Sequence, residues 1–377
     1  MALVILVARG LPAQGHEAHM VEAPGRQLSV VGTAYLQYVR TFGTRGAYQF
    51  GSVNRAMVDA GTPWAKGVVR AHLMASAEPL TLTDRGAPQL LQVAFMSGGG
   101  TITDHAHASP WIMELAGSYE RQLLTDVAVS LYGAAIGEAA LGPPAYQHRA
   151  SAAANPAEPL GHHAQDVTHS SFGVVTFGVR RRRLRLEASA FNDRQPDEPG
   201  SVFFYRGARL DAYAARATFA VGKAWSLFWS YGYLPATSGG HSHDSQHRVG
   251  AGGVHDTPTW SLTLVYGAND PVGNSRPRPT VLAEAERRWN DRHVLFARAE
   301  YVERTAEELS LVGSVSATQD IAAFQLGYGR TMMGPGGTTT RVGAYATVNA
   351  IPPQLVPFYG SRTPFGIAAY TQLSVAH

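Results

Sequence analysis

Fifteen histidines punctuate the sequence, and they bunch. "GHHAQDVTH" holds His162, His163 and His169 around Asp166. "DHAHASPW" adds His105 and His107 beside Asp104, and "AYQHRAS" places His148 ahead of Ser151. A third group, "GGHSHDSQH", carries His241, His243, Asp244 and His247. Neutral imidazole is the commonest metal ligand, and a nearby carboxylate can ligate or accept the other ring N–H. With no cysteine in the chain, a site would be nitrogen and oxygen only, which suits Zn²⁺, Cu²⁺ or Ni²⁺. The candidate ligands are His105, His107, His148, His162, His163, Asp166 and His169. No spacing among them is diagnostic. His105 and His107 share a face when extended, whereas adjacent His162 and His163 of an extended chain point opposite ways. The competing role is loop packing, with imidazoles satisfied by Asp and carbonyl oxygens.

Hydrolysis needs a nucleophile, a base and an orienting acid that converge. Ser170 next to His169, Ser151 with His148, and Asp166 supply the residue types, but no nucleophile-elbow pattern accompanies them. The expectation is a protein that is not an enzyme.

The segments that must carry these loops alternate with period two, the mark of strands with two unlike faces. Trp225, Leu227, Trp229, Tyr231 and Tyr233 share one face, and Ser226, Phe228, Ser230 and Gly232 share the other. Leu184, Leu186, Ala188 and Ala190 oppose Arg183, Arg185, Glu187 and Ser189. Sixteen such segments are expected, near residues 28–39, 45–59, 67–76, 112–120, 123–131, 170–179, 182–191, 208–219, 224–233, 245–254, 258–267, 279–289, 292–302, 320–331, 338–349 and 365–375. Most have the 9–12 residues that a tilted strand needs to cross a bilayer. Connections after even-numbered segments are tight, as at Arg121–Gln122 and Asn290–Asp291. Those after odd-numbered ones are mostly long, above all 77–111 and 132–169. A soluble sandwich has no reason to sort its loops in this way, but a membrane barrel does. The expected fold is therefore all-β: a transmembrane antiparallel up-and-down β-barrel of about sixteen strands.

Composition agrees. Charged residues are only 16% of 377, glycine reaches 40 and aromatics 10%, which suits a barrel partly bathed in lipid. The net charge of +3 points to no polyanionic partner, and no nucleic acid is expected. Arg180–Arg183 fall at an expected tight turn, where arginine meets lipid headgroups. Inward polar residues Glu187, Glu284, Glu286, Arg288, Arg298 and Glu300 would line the lumen and pair across its wall. Arg216 shares parity with Ala212 and Ala214, which implies a bulge or an interfacial position.

One resemblance extends this reading. "GEAALGPPAYQHRASAAANPAEPLGHHAQDVTHSSFGVVTFGV" followed by "LEASAFNDRQPDE" resembles a family of uncharacterised Gram-negative proteins regarded as outer-membrane barrels. "DHAHASPWIMELA" and "GAYQFGSVNRAMV" are similar to other blocks of that family. The resemblance runs from about Gly32 to the C-terminus and implies fold and an outer-membrane location, with no activity to carry over.

Residues 1–15 read as a truncated secretory signal and residues 16–27 as an N-terminal segment, with the barrel and its inserted loops over 28–377. The last strand resembles a barrel-assembly signal, although His377 stands where an aromatic usually closes it. The partners expected are outer-membrane lipid, small solutes or ions, and the barrel-assembly machinery. The function expected is a porin-like outer-membrane channel that handles metal ions through its histidine loops. An outer-membrane hydrolase and a structural barrel without transport are the alternatives.

Overall fold

The computed structural model describes residues 27–83, 86–97, 99–193, 209–236, 244–273, 276–311, 318–334 and 338–376. The expected signal segment, His241, His243 and His377 lie outside them, as does the side chain of His169.

Sixteen strands form one closed antiparallel barrel in chain order. They are β1 (Gln27–Thr41), β2 (Tyr48–Trp64), β3 (Gly67–Ala75), β4 (Ile112–Leu124), β5 (Val127–Gly137), β6 (Ser171–Arg181), β7 (Leu184–Asn192) and β8 (Ala212–Val221). The second half comprises β9 (Trp225–Leu234), β10 (Gln246–Asp256), β11 (Trp260–Pro271), β12 (Arg278–Trp289), β13 (His293–Thr305), β14 (Thr318–Met333), β15 (Thr338–Ala350) and β16 (Phe365–Ala376). The first strand closes on the last, with Val31 opposite Ala376 and Thr41 opposite Gly366. Every backbone N–H and C=O in the wall can then be met by a neighbouring strand, the condition for crossing hydrocarbon.

The alternation sets the two faces. Trp229 and Phe177 point outward and are 54% and 53% exposed, while Ser230 and Thr176 beside them in sequence are buried inside. Such an apolar exterior around a polar interior is stable only where the outside is lipid. Turns at one rim are tight. Both residues of the Ala65–Lys66 turn have positive φ, at 47° and 64°, as do Asn290 and Asp291, at 54° and 49°. This is the conformation that two-residue hairpins favour. The long connections, 76–111 and 138–170 above all, leave the other rim.

Three details depart from the sequence reading. The β4–β5 turn lies at Thr125–Asp126, because the register shifts between Gln122 and Leu124 and breaks the alternation early. β5 runs on to Gly137, since Gly133, Ala134 and Ala135 offer no polar contrast to read. At Arg216 the ladders to both neighbours run without a shift. There Ala212 and Ala214 face inward against Leu141 of the 138–170 loop, so small apolar residues and an arginine share the inner face.

Candidate functional site in the barrel lumen

The 138–170 loop does not stay at the rim. It turns into the barrel and crosses it, with most of its side chains buried. Its sequence permits this. Alanines at 139, 140, 145, 150, 152 and 154 pack closely, and four prolines restrict the unfolded chain. Gly142 is required where it stands: its φ is +75°, and a Cβ there would lie 2.1 Å from the Gln165 carbonyl oxygen. On the wall, a Cβ at Gly232 would meet Leu141 at 2.9 Å, so that glycine makes room for the loop.

Wall side chains grip the loop largely by its backbone. Tyr35 Oη donates to the Ala153 carbonyl at 2.8 Å and Tyr370 Oη to that of Ala154 at 2.7 Å. Arg298 donates to the Ala157 carbonyl at 2.8 Å, and Arg304 to that of Leu160. In return the Ala154 and Gly161 N–H groups donate to Glu286 and Glu300, at 2.8 and 3.0 Å. The hub is Glu284, 1% exposed. It accepts from Arg149 Nε at 3.1 Å, Ser151 Oγ at 2.8 Å and Arg298 Nε at 2.7 Å. Arg149 also donates to Asp166 at 2.9 Å. Burial works against the Arg149 cation, but Glu284 and Asp166 outweigh it and hold its pKa above the ordinary value.

The 76–111 loop fills the rim beside it. β3 ends at Ala75 opposite Ala56, so β2 would lack a partner beyond that point. Glu78 replaces the missing strand, accepting from the Asn54 N–H at 3.1 Å and the Ser109 N–H at 2.7 Å. Burial pushes its carboxyl up to about 7, against the downward pull of those hydrogen bonds and of Arg55. Asp104 accepts from the Leu91 N–H at 2.7 Å and from Arg45 at 3.1 Å. The two loops meet where Gln89 donates to the Glu158 carbonyl at 2.6 Å and Gln92 to the Glu158 carboxylate at 3.2 Å.

The candidate ligands separate into two sets. Atoms of His107, Glu158 and His162 lie within 4.8 Å of one another. His163 stands beside them, its ring centroid 5.2 Å from that of His162 and 5.5 Å from that of His107. His162 and His163 flank one another because residues 162–165 form a helical turn and not the extended chain assumed from sequence. His162 Nδ1 meets Asp166 Oδ1 at 2.6 Å. Burial lowers the imidazole pKa, yet Glu158 and Asp166 outweigh it and raise the value above the usual one. The other oxygen of Asp166 accepts from Arg149 and from the Tyr146 N–H at 3.1 Å. His105 meets the Thr103 carbonyl at 2.8 Å, and neither it nor His148 belongs to the described cluster. His247 lies on β10 with its ring against Tyr231 Oη at 2.7 Å, in the outer aromatic belt and away from the loops.

Sequence reasoning misses Glu158; its only signal is its place four residues before His162 in the proline-framed loop. Of the residues expected to line the lumen, Glu187, Glu284, Glu286, Arg298 and Glu300 are buried, and Arg288 reaches Glu286 at 2.8 Å. Arg180 is corrected from headgroup contact to a bond with Glu120 at 3.3 Å, while Arg181 and Arg182 stay exposed beside Asp126.

Two of the cavities that remain in the lumen lie against the wall. One of about 690 Å³ runs along β3–β8, lined by Arg70, His72, Glu120, Arg185, Glu187 and Arg216 among others. The other, about 530 Å³, lies between the loop and the β13–β16 wall. In the first, Asp59 Oδ1 meets His72 Nδ1 at 2.6 Å and His72 Nε2 meets Ser118 Oγ at 3.0 Å, an acid–base–hydroxyl series unrelated to the residues singled out from sequence. Ser151 bonds Thr263 and Glu284 instead of a histidine.

No family model matches the chain, and no curated protein sequence does. Solved structures do match in fold. OmpF of Salmonella typhi, in complex with daunomycin, is 10% identical with a TM-score of 0.57, covering 94% of this chain and 98% of that one. An anion-selective porin from Comamonas acidovorans is 10% identical with a TM-score of 0.53, covering 94% and 99%. The outer membrane channel DcaP of Acinetobacter baumannii is 10% identical with a TM-score of 0.52, covering 93% and 97%. The chain has the fold of the outer-membrane porins.

Proposed function

We propose that the protein is a porin-like channel of the outer membrane that passes small solutes or ions through a lumen narrowed by its own loops. The observation that carries this reading is the inward course of residues 138–170, tied to the wall at Glu284, Glu286 and Glu300, with charge-lined space left on the β3–β8 side of the lumen. A barrel that merely occupied the membrane would need no charge-lined path past an anchored constriction. The names of the fold neighbours, porins and a channel, support the reading. Lipid meets the apolar outer face, and β16 is the segment offered to the assembly machinery.

The test is conductance. Purified, refolded protein in planar bilayers should give stepwise currents. Replacing residues 143–160 with a short Gly/Ser linker should enlarge each step. A bilayer that incorporates heat-modifiable, folded barrels and stays closed in both forms would overturn the proposal.

A second reading, hydrolysis, has the Asp59–His72–Ser118 series in its favour. Against it, Ser118 sits within the β3–β4–β5 ladder, whose N–H groups are committed to neighbouring strands, so backbone donors for an oxyanion are lacking there. The channel reading expects no labelling of Ser118 by a fluorophosphonate. Labelling that disappears in Ser118→Ala would move hydrolysis ahead.

A further inference from the structure

The two inserted loops touch at a place whose side chains suit a metal ion. We propose that His107, Glu158 and His162 form a Zn²⁺-type site that staples the 76–111 loop to the 138–170 loop inside the lumen. The inference deepens the channel reading by assigning the constriction a ligand, yet its chemistry stands on the residues alone.

Two imidazoles and one carboxylate form a familiar donor set for zinc, with a fourth position for water or another ligand. The ligand atoms lie within 4.8 Å of one another. A tetrahedral ion with bonds of about 2.0–2.1 Å sets its ligands roughly 3.3 Å apart, so rotamer adjustments of about an ångström close the site. The imidazoles are already oriented. Nδ1 of His162 is engaged by Asp166 at 2.6 Å, and Nδ1 of His107 by the Ala108 carbonyl at 3.1 Å. Nε2 is therefore the ligating nitrogen of each ring. A carboxylate behind a ligating histidine fixes its tautomer and strengthens it as a donor, and here Arg149 and the Tyr146 N–H hold that carboxylate in turn. Gln92 steadies the Glu158 carboxylate at 3.2 Å. His163 Nε2, 3.9 Å from Glu158 Oε1, is the nearest side chain for the fourth position. A cavity of about 360 Å³ is lined by both His107 and Glu158, which leaves space beside the two ligands.

The ligands come from two loops, and this makes the site a bridge. His107 follows the short ladder of Ala87–Pro88 with His105–Ala106, whereas Glu158 and His162 belong to the loop that crosses the lumen. The amide bonds from Gln89 and Gln92 to Glu158 already bring the segments together. An ion would join them through stronger bonds to ligands on both.

Calorimetry with Zn²⁺ on the folded protein in detergent, expressed without a polyhistidine tag, tests the proposal. One ion per chain should bind, and His107→Ala, His162→Ala and Glu158→Gln should each weaken binding at least about tenfold. Asp166→Asn should weaken it about 10- to 100-fold, and His105→Ala should leave it unchanged. Heat-modifiable migration shows that each variant is folded. Bound Zn²⁺ should also slow hydrogen exchange in residues 86–97 and 143–160 together in wild type but not in His107→Ala. Absence of stoichiometric binding, or binding that survives His162→Ala, would overturn the site. Undiminished binding in His107→Ala would overturn the bridge. Conductance is a separate measurement: currents without zinc binding defeat only this inference, and zinc binding in a barrel that never conducts defeats only the channel.

Discussion

The two sides of the lumen wall carry the same kind of residue and meet different fates. On β11–β16 and β1 the inward polar groups bond the crossing loop, and Glu284 is reduced to 1% exposure by Arg149, Ser151 and Arg298. On β3–β8 the inward charges bond mostly one another, Arg185 with Glu187 at 2.8 Å and Arg216 with Glu187 at 3.3 Å, although Arg216 also reaches Glu138 at the start of the loop at 3.5 Å, and about 690 Å³ of space stays beside them. Alternation chooses the face a residue occupies, and the course of one loop chooses whether that face becomes a core or lines a cavity.

This contrast predicts where mutations hurt. Glu284→Ala should have the largest effect, because it takes the shared buried carboxylate away from Arg149 and Arg298; breaking such a pair costs about 3–5 kcal/mol. The crossing loop should undock, seen as larger and noisier current steps and as faster hydrogen exchange over 138–170. Unchanged exchange would mean that the packed side does not depend on its hub. Leu262→Arg, on the outer face of β11, serves as the control for both sides. It should impair insertion by about 2–4 kcal/mol and leave the lumen of inserted molecules alone. Smaller again is Arg185→Gln on the open side. Stability should fall less than in Glu284→Ala, because Glu187 keeps Arg216 at 3.3 Å, while reversal potentials in a salt gradient shift toward cation preference. A large loss of stability there would erase the distinction between the two sides.

The last expected effect is one of pH and concerns Glu78. Its carboxyl is raised to about 7 from an ordinary value near 4.5, so the folded state binds the proton more tightly than the unfolded one. The stability this contributes is fully present below about 4.5 and fades as pH rises through about 7. Hydrogen exchange in residues 76–83, corrected for its intrinsic pH dependence, should therefore show falling protection between about pH 5 and pH 8, and Glu78→Gln should flatten the trend. A slope of opposite sign would show that the hydrogen bonds from Asn54 and Ser109 outweigh burial.

The wall is legible in the sequence because membrane strands must alternate, and all sixteen emerge from period two and loop length. Where alternation fails as a guide, the cause is local: a bulge near Leu124, a run of small residues after Tyr132, and Ala212 and Ala214 packed against a loop that periodicity cannot place. The site is half legible. Histidines in loops rooted on β3 to β6 do meet, since those strands are neighbours. Glu158 stays hidden because a glutamate in a proline-rich segment resembles solvated loop, and the Asp59–His72–Ser118 series because its members lie on three strands and become adjacent only through register.

The grip on the crossing loop has a consequence for the order in which the molecule is built. Of its anchors Tyr35 lies upstream, but many lie far downstream in the chain: Ala154 is separated from Tyr370 by 216 residues, Ala153 from Gln372 by 219, and Ser151 from Thr263 by 112. Residues 138–170 are synthesised before any of these downstream partners exists, and contacts so remote form late because chain entropy must first be overcome. The loop therefore docks last, after β16 has met β1. Occupation of the interior is thus completed only once the cylinder has closed, and a chain halted before its final strand would lack the Tyr370 and Gln372 bonds that hold Ala154 and Ala153.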